Sequence, residues 1–198
     1  MLVSHAHYDH LDLPSLEKLG KSIPVVVPRG LGGLLRKRRF ESVIEVEVGE
    51  TLAIGALQIR AVHAEHDRSR SLIGVPADPV GYVVSGSKSI YFAGDTDLFD
   101  EMRELGPVDV GLIPIWGWGP SLGGGGHLDP MRAAEAVALI EPGLVIPIHW
   151  GTYFPIHLGS PGNPASSICR HWSSLEAVKR TAPAVDVRVL RPGESLNL

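Results

Sequence analysis

The sequence predicts an α/β protein in which β-sheets are covered by helices. Two observations carry this. Short strand-like runs dominate the first half of the 198 residues, and strands alternate with helical segments in the second. That order is expected where helices pack over sheets. Residues able to bind metal recur where predicted strands end, the rim at which open α/β architectures place their sites. The 23 Gly and 16 Pro supply the tight turns such a fold needs.

The elements follow in order. Leu2-Val3 reads as the end of a strand. Asp12 stands where an N-cap would, with Pro14 in the first turn and Leu13, Leu16 and Leu19 on one side of a helix closed by Gly20. Pro24 to Pro28 is a short buried strand. Gly30 to Phe40 reads as a helix with a basic face at Arg36-Lys37-Arg38-Arg39. Val43 to Val48 alternates apolar and acidic residues, as a half-exposed strand does. Leu57–Val62, Gly81–Val84 and Ser89–Ala93 read as further strands, the last after a turn at Ser85-Gly86-Ser87. Asp97 to Leu105 reads as a helix closed by Gly106. Val108 to Ile115 is an apolar strand, and Trp116 to Gly126 is a glycine-rich loop. Asp129-Pro130 pairs an N-cap with proline at the first helical position, opening a helix to about Ile140. Leu144–Ile148 is a strand ending at His149. Ala165 to Thr181 is amphipathic at helical spacing, and Asp186–Leu190 is a last strand.

Composition narrows the function. At 44% hydrophobic and 20% charged residues, the chain fits one globular domain with a real core. A net charge of −4 offers no field for nucleic acid or anionic membrane, so neither is expected as a partner. No apolar run approaches the roughly 20 residues of a membrane span. A single cysteine, Cys169, excludes an internal disulfide and fits a reducing, cytoplasmic setting.

The strongest signal is Ser4-His5-Ala6-His7-Tyr8-Asp9-His10. In an extended segment alternate side chains share a face, so His5, His7 and Asp9 can project together, while His10 points elsewhere unless the chain turns. Two divergent groups from one loop suit two metals better than one. The alternative is a solvated histidine-rich segment. Three further ligand-type residues lie after predicted strands: His66, Asp95 and His149. With the cluster they can fill two metals of four protein ligands each, if one carboxylate bridges. Imidazole with carboxylate suits Zn, and Mn, Fe or Co are also accepted.

These residues resemble, in type and order, the metallo-β-lactamase superfamily. The likeness covers essentially the whole chain. His5-x-His7-x-Asp9-His10-Leu11-Asp12, Ala64-Glu65-His66, Tyr91-Phe92-Ala93-Gly94-Asp95-Thr96 and Ile148-His149-Trp150-Gly151-Thr152 look like the branch holding ascorbate-6-phosphate lactonase and N-acyl-phosphatidylethanolamine phospholipase D. The resemblance implies a single domain over residues 1–198 with an αββα sandwich: two mixed β-sheets flanked by helices. It implies one metal on His5, His7 and His66, a second on Asp9, His10 and His149, and Asp95 between them. It also implies a dinuclear hydrolase acting on a small phosphorylated, lactone or phosphodiester substrate through a metal-bridging hydroxide. Asp9 would orient that hydroxide or accept its proton. His127, just before a helix start, would contact substrate or protonate the leaving group.

One departure sets an expectation. In the superfamily the histidine loop follows several strands, whereas here it begins at residue 5. The chain therefore reads as the fold lacking its first strands, with lower stability or pairing with a second copy as consequences. An inactive metal-binding fragment is one alternative function. A di-iron oxidoreductase on the same scaffold is another, though such proteins usually carry Glu where His7 stands. A nuclease is disfavoured by the net charge.

Weaker features keep two readings each. Trp116, Trp118 and Trp150 either wall a substrate pocket or pack in the core. His63 either ends a strand as a packed polar residue or replaces His66. His157 and His171 read as surface residues or as neighbours of the ligands. Arg36–Arg39 is a solvated face or an anion contact. Asp12 caps its helix, orients a ligand, or does both.

Overall fold

The computed structural model describes residues 1–66, 77–115, 126–150, 178, 180–191 and 193–198. Its elements are α1 (Leu13–Leu19), β1 (Val25–Pro28), α2 (Gly32–Lys37), β2 (Val43–Val46), β3 (Thr51–Ile54), β4 (Leu57–His63), β5 (Val80–Ser85), β6 (Ser89–Phe92), a 3₁₀ turn (Asp100–Glu104), β7 (Val110–Pro114), α3 (Pro130–Ile140), β8 (Leu144–Ile148) and β9 (Asp186–Val187).

Two sheets form. The larger runs β3-β4-β5-β6-β7-β8-β9. Its pairs from β3 to β6 are antiparallel, and those from β6 to β9 are parallel. In the smaller, β1 and β2 pair in parallel, and Leu2 joins through a bridge to Val26.

Strand alternation sorts side chains into layers. Val25 and Val27 of β1 pack with Leu16, Leu31, Leu35 and Phe40, so α1 and α2 cover that face. Val26 points the other way and meets Ile59, Ala61, Val80 and Tyr82 between the sheets. On the far side of the larger sheet, Val62, Val83, Tyr91, Ile113 and Val145 pack under Ala133, Ala134, Val137 and Ile140 of α3. The order is helix, sheet, sheet, helix, the αββα arrangement expected.

Local expectations hold where the signal is short-range. Asp12 caps α1 by accepting from Ser15 N (3.2 Å) and from the Ser15 hydroxyl. Asp129 caps α3 through Met131 N and Arg132 N, both at 2.9 Å, with Pro130 opening the helix. Along α1, Leu16 is buried while Leu19 is 62% exposed.

Several expectations are corrected. The helix expected over Asp97–Leu105 shrinks to the 3₁₀ turn, because Phe99 is extended (φ −143°, ψ 153°) and Asp97 N donates to Glu65 O at 2.7 Å. The expected helix from Gly30 to Phe40 is only Gly32–Lys37. It stops where Arg39 takes a left-handed conformation (φ 63°). Strand β3 was not expected; it forms a hairpin with β4 in which Ile54 pairs Leu57 across Gly55 (φ 61°). The last strand is Asp186–Val187 rather than Asp186–Leu190. Most of the helix expected over Ala165–Thr181 lies outside the described residues, as do Trp116, Trp118, His157, Cys169 and His171.

Candidate metal centre

Strands β4, β6 and β8 run in the same direction, so His66, Asp95 and His149, which follow their C-terminal ends, arrive at one rim. The histidine loop meets them there. Its backbone is pinned by Val3 N donating to Val26 O (3.0 Å), Tyr82 Oη donating to Val3 O (2.8 Å) and Val80 N donating to Ser4 O (2.9 Å).

The loop is not extended. His10 N and Leu11 N both donate to His7 O, at 3.0 and 2.7 Å, so the chain turns within the cluster. The turn overrides the strand-face grouping of His5, His7 and Asp9 and carries Asp9 toward His10. Two ligand-type sets result: His5, His7, His66 and Asp95, and Asp9, His10, His149 and Asp95. The potential donor atoms of each set lie within 4.8 Å of one another.

In the first set, His7 Nδ1 is 2.9 Å from His5 Nε2 and 3.3 Å from His66 Nε2. In the second, His149 Nε2 lies 3.5 Å from both Asp9 Oδ2 and Asp95 Oδ1. His10 Nε2 is 3.2 Å from Asp95 Oδ2, and that oxygen is 3.6 Å from His5 Nε2. Two ligands on one tetrahedral zinc lie about 3.3 Å apart, given Zn–N distances of about 2.0–2.1 Å, so these spacings suit such an ion. Among the described residues, His10 Nε2 and Asp95 Oδ1 are buried without a hydrogen-bond partner. Buried polar atoms left so are costly, and metal ligation would satisfy them. The residues fit a pair of divalent ions.

His5, His7, Asp9 and Asp95 favour the charge state a ligand needs, while His149 favours its charged form and would give up that proton on binding an ion. Burial, with His10 adding to it, takes the His5 imidazole down to about 2, leaving it neutral as a ligand must be. Burial, together with His66, also lowers His7. Asp9 is held at about 2, chiefly by its hydrogen bond from His149. Burial works to raise the Asp95 carboxyl. The histidines around it, His10, His149 and His5, outweigh burial and hold it well below the ordinary carboxylate range. Burial opposes protonation of His149, yet Asp9 and Asp95 raise it overall. His149 also sits in the left-handed region (φ 54°), a conformation uncommon outside glycine and often found at functional sites.

The other candidates sort as follows. His127 comes to the centre: its ring lies 4.8 Å from that of His66 and stacks on His149 at 5.8 Å, and its Nδ1 is 3.8 Å from Asp95 Oδ2. His63 does not; it is exposed, pairs with Glu65 at 3.2 Å and contacts the Phe99 ring. Trp150 donates to Pro147 O at 3.1 Å and packs partly against the α3 core. Arg36 is tied to Glu45 at 2.7 Å on the surface.

Three supports escaped the sequence reading. Ser4 Oγ contacts both His5 and His10. The Gly126 carbonyl accepts from His66 Nδ1 at 2.7 Å. Asp97 binds Arg132 Nη1 at 2.6 Å and accepts from Gly126 N at 3.3 Å, anchoring that carbonyl's own residue. Only Ser4 carried a local hint, by its place beside His5.

Fold and site define a metallo-β-lactamase-type protein. The chain belongs to the β-lactamase superfamily: the family described as "Beta-lactamase superfamily domain" matches residues 1–150. It is 31% identical over 208 residues to a UPF0173 metal-dependent hydrolase of Koribacter versatilis, covering 98% of this chain and 78% of that protein. It is also similar to the structure of Igni18, a metallo hydrolase from Ignicoccus hospitalis. There the TM-score is 0.73 and the identity 26%, over 98% of this chain and 77% of that one. The structure of CmlA, a diiron β-hydroxylase from Streptomyces venezuelae, matches 96% of this chain and 43% of its own at a TM-score of 0.72. At 23% identity it shares the fold.

Proposed function

We propose that the two ligand sets hold two divalent metal ions, and that the site hydrolyses a small phosphorylated, lactone or phosphodiester substrate. This is a metal-dependent hydrolase of the metallo-β-lactamase fold. One ion would be held by His5, His7 and His66 and the other by Asp9, His10 and His149, with Asp95 reaching both. The observation that carries the reading is the buried Asp95 carboxylate, within 3.6 Å of a histidine nitrogen from each set. The mix of imidazole and carboxylate favours Zn, and Mn, Fe or Co would also be accepted.

Such ions, when bound, lower the pKa of coordinated water toward neutrality and polarise a carbonyl or phosphoryl oxygen. The chain's own groups do the rest. Asp9 is partly exposed and ionised, so it can orient the attacking water and accept its proton. His127 stands over the carboxylate between the sets, where it can contact an anionic substrate oxygen or give a proton to the leaving group. The buried His5 is neutral, so it can offer a lone pair without first losing a proton. The substrate classes follow the sequence likeness to the lactonase and phospholipase D branch. Trp116 and Trp118, which precede Gly126 in the sequence, are proposed as substrate contacts.

The test is elemental analysis of the purified protein joined to a screen of phosphodiesters and lactones. Two ions per chain and turnover of one such class are expected. Saturation at one ion would overturn the dinuclear reading. Iron with oxygen consumption and no hydrolysis would replace it with oxidoreductase chemistry.

A further inference from the structure

The hydroxyl of Ser4 lies against one histidine from each ligand set. Ser4 Oγ is 3.0 Å from His5 Nδ1 and 3.3 Å from His10 Nδ1, and the serine is only 2% exposed. The opposite nitrogens of the same two rings face the centre. His5 Nε2 approaches His7 Nδ1, and His10 Nε2 approaches Asp95. A ring that presents a lone pair on Nε2 must carry its proton on Nδ1. Both Nδ1–H groups then aim at one oxygen, and a serine hydroxyl has two acceptor lone pairs.

We propose that Ser4 is a positioning residue shared by the two metal sites. Its hydroxyl accepts from Nδ1–H of His5 and of His10, setting the tautomer and the ring plane of one ligand in each set. The proposal rests on the reading that the sets hold metal. The backbone supports it independently. Ser4 is held between the Val3 contacts to Val26 and Tyr82 on one side and its own carbonyl's bond from Val80 N on the other. Gly94, at φ +63°, backs the serine so closely that a Cβ there would stand 2.5 Å from Ser4 Cβ and 2.8 Å from Ser4 Oγ. The hydroxyl therefore has little freedom to leave the two rings. His66 is handled separately, by the Gly126 carbonyl, and supplies an internal control.

The experiment has two parts. In zinc-loaded protein with ¹⁵N-labelled histidine, the Nδ1–H protons of His5 and His10 should be hydrogen-bonded and slow to exchange with water. Ser4→Ala should shift both, speed their exchange, and leave the His66 Nδ1–H unchanged. A proton on Nε2 of either ring, or fast exchange at either Nδ1–H, in the unaltered protein, or no change in Ser4→Ala, would overturn the proposal. The spectrum of the unaltered protein decides the matter even if the variant does not fold. In the second part, zinc affinity is measured by chelator competition. Ser4→Ala should weaken both ions, each by roughly 10–100-fold, as loss of a ligand's outer partner does. Weakening of one ion alone would overturn the shared role. Failure of the unaltered protein to bind two ions would instead sink the dinuclear reading, and the Nδ1–H spectrum with one ion bound would still decide what Ser4 does at that ion's histidine.

Discussion

Oδ2 of Asp95 lies 3.2 Å from Nε2 of His10, with both side chains largely buried. The same oxygen reaches His5 of the other set at 3.6 Å. Asp95 is thus the one side chain common to both sets. Asp95→Asn keeps the size and removes the charge. Both ions should weaken by more than the ~100-fold upper range for outer partners. Chelator competition reads this, and one ion retained at full affinity would show that the carboxylate is not shared.

Asp9 serves only the second set and is more exposed. Asp9→Ala should abolish turnover, lower bound metal toward one ion per chain, and leave the ion on His5, His7 and His66 in place. Metal content and turnover measured on the same preparation check it. Unchanged turnover would remove Asp9 from the chemistry.

His127 belongs to neither ligand set, although its ring stacks on that of His149. His127→Ala should keep both ions and lose roughly 10²–10⁴-fold in kcat, the usual contribution of a positioned proton donor. Substrates with a good leaving group should lose least. An equal loss for every leaving group would favour a substrate contact instead.

Asp97 accepts from Arg132, Leu98 N and Gly126 N and is 8% exposed. Asp97→Ala leaves those donors without their acceptor and should cost about 2 kcal/mol in urea unfolding. Arg132, 41% exposed, loses a partly solvated pair, and Arg132→Met should cost under about 1 kcal/mol. Equal costs would contradict the assignment of the burden to Asp97.

Acid stability should report Asp109. Backbone and hydroxyl bonds from Ser89, helped by Lys88, hold its carboxyl at about 2, below the ordinary 3.8. A depressed folded-state value means the unfolded chain binds the proton first as pH falls. The stabilisation is complete above the ordinary value and is lost as pH drops through about 2. Asp109→Asn should therefore be less stable than the parent near neutrality, with the gap closing across that window. A gap independent of pH would show that the charge is not what matters.

Caps, proline-led helices and the strands β4 to β8 were legible because their signals are local. Asp12 and Asp129 announce their helices within a few residues, and Leu144–Ile148 has the bounds its apolar run suggests. The region after Asp95 was not legible. Asp97 commits its backbone to Glu65 and its carboxylate to Arg132, partners far away in sequence, so helix propensity there is overruled. His63 and His66 look alike in sequence. Only the exposed end of β4 sets His63 outward beside Glu65, and only the Gly126 carbonyl turns His66 inward.

The amino-acid order alone determined which chemical groups are present and at which strand ends they fall, because strand and cap signals act over a few residues. Tertiary structure decided how they are shared out. The turn at His7–Leu11 sends Asp9 and His10 to one set and leaves His5 and His7 in the other. Parallel strands then bring His66, Asp95 and His149 to that same rim, and one buried serine touches both sets. Those assignments rest on contacts between residues as far apart as His10, Asp95 and His149, which no local pattern encodes.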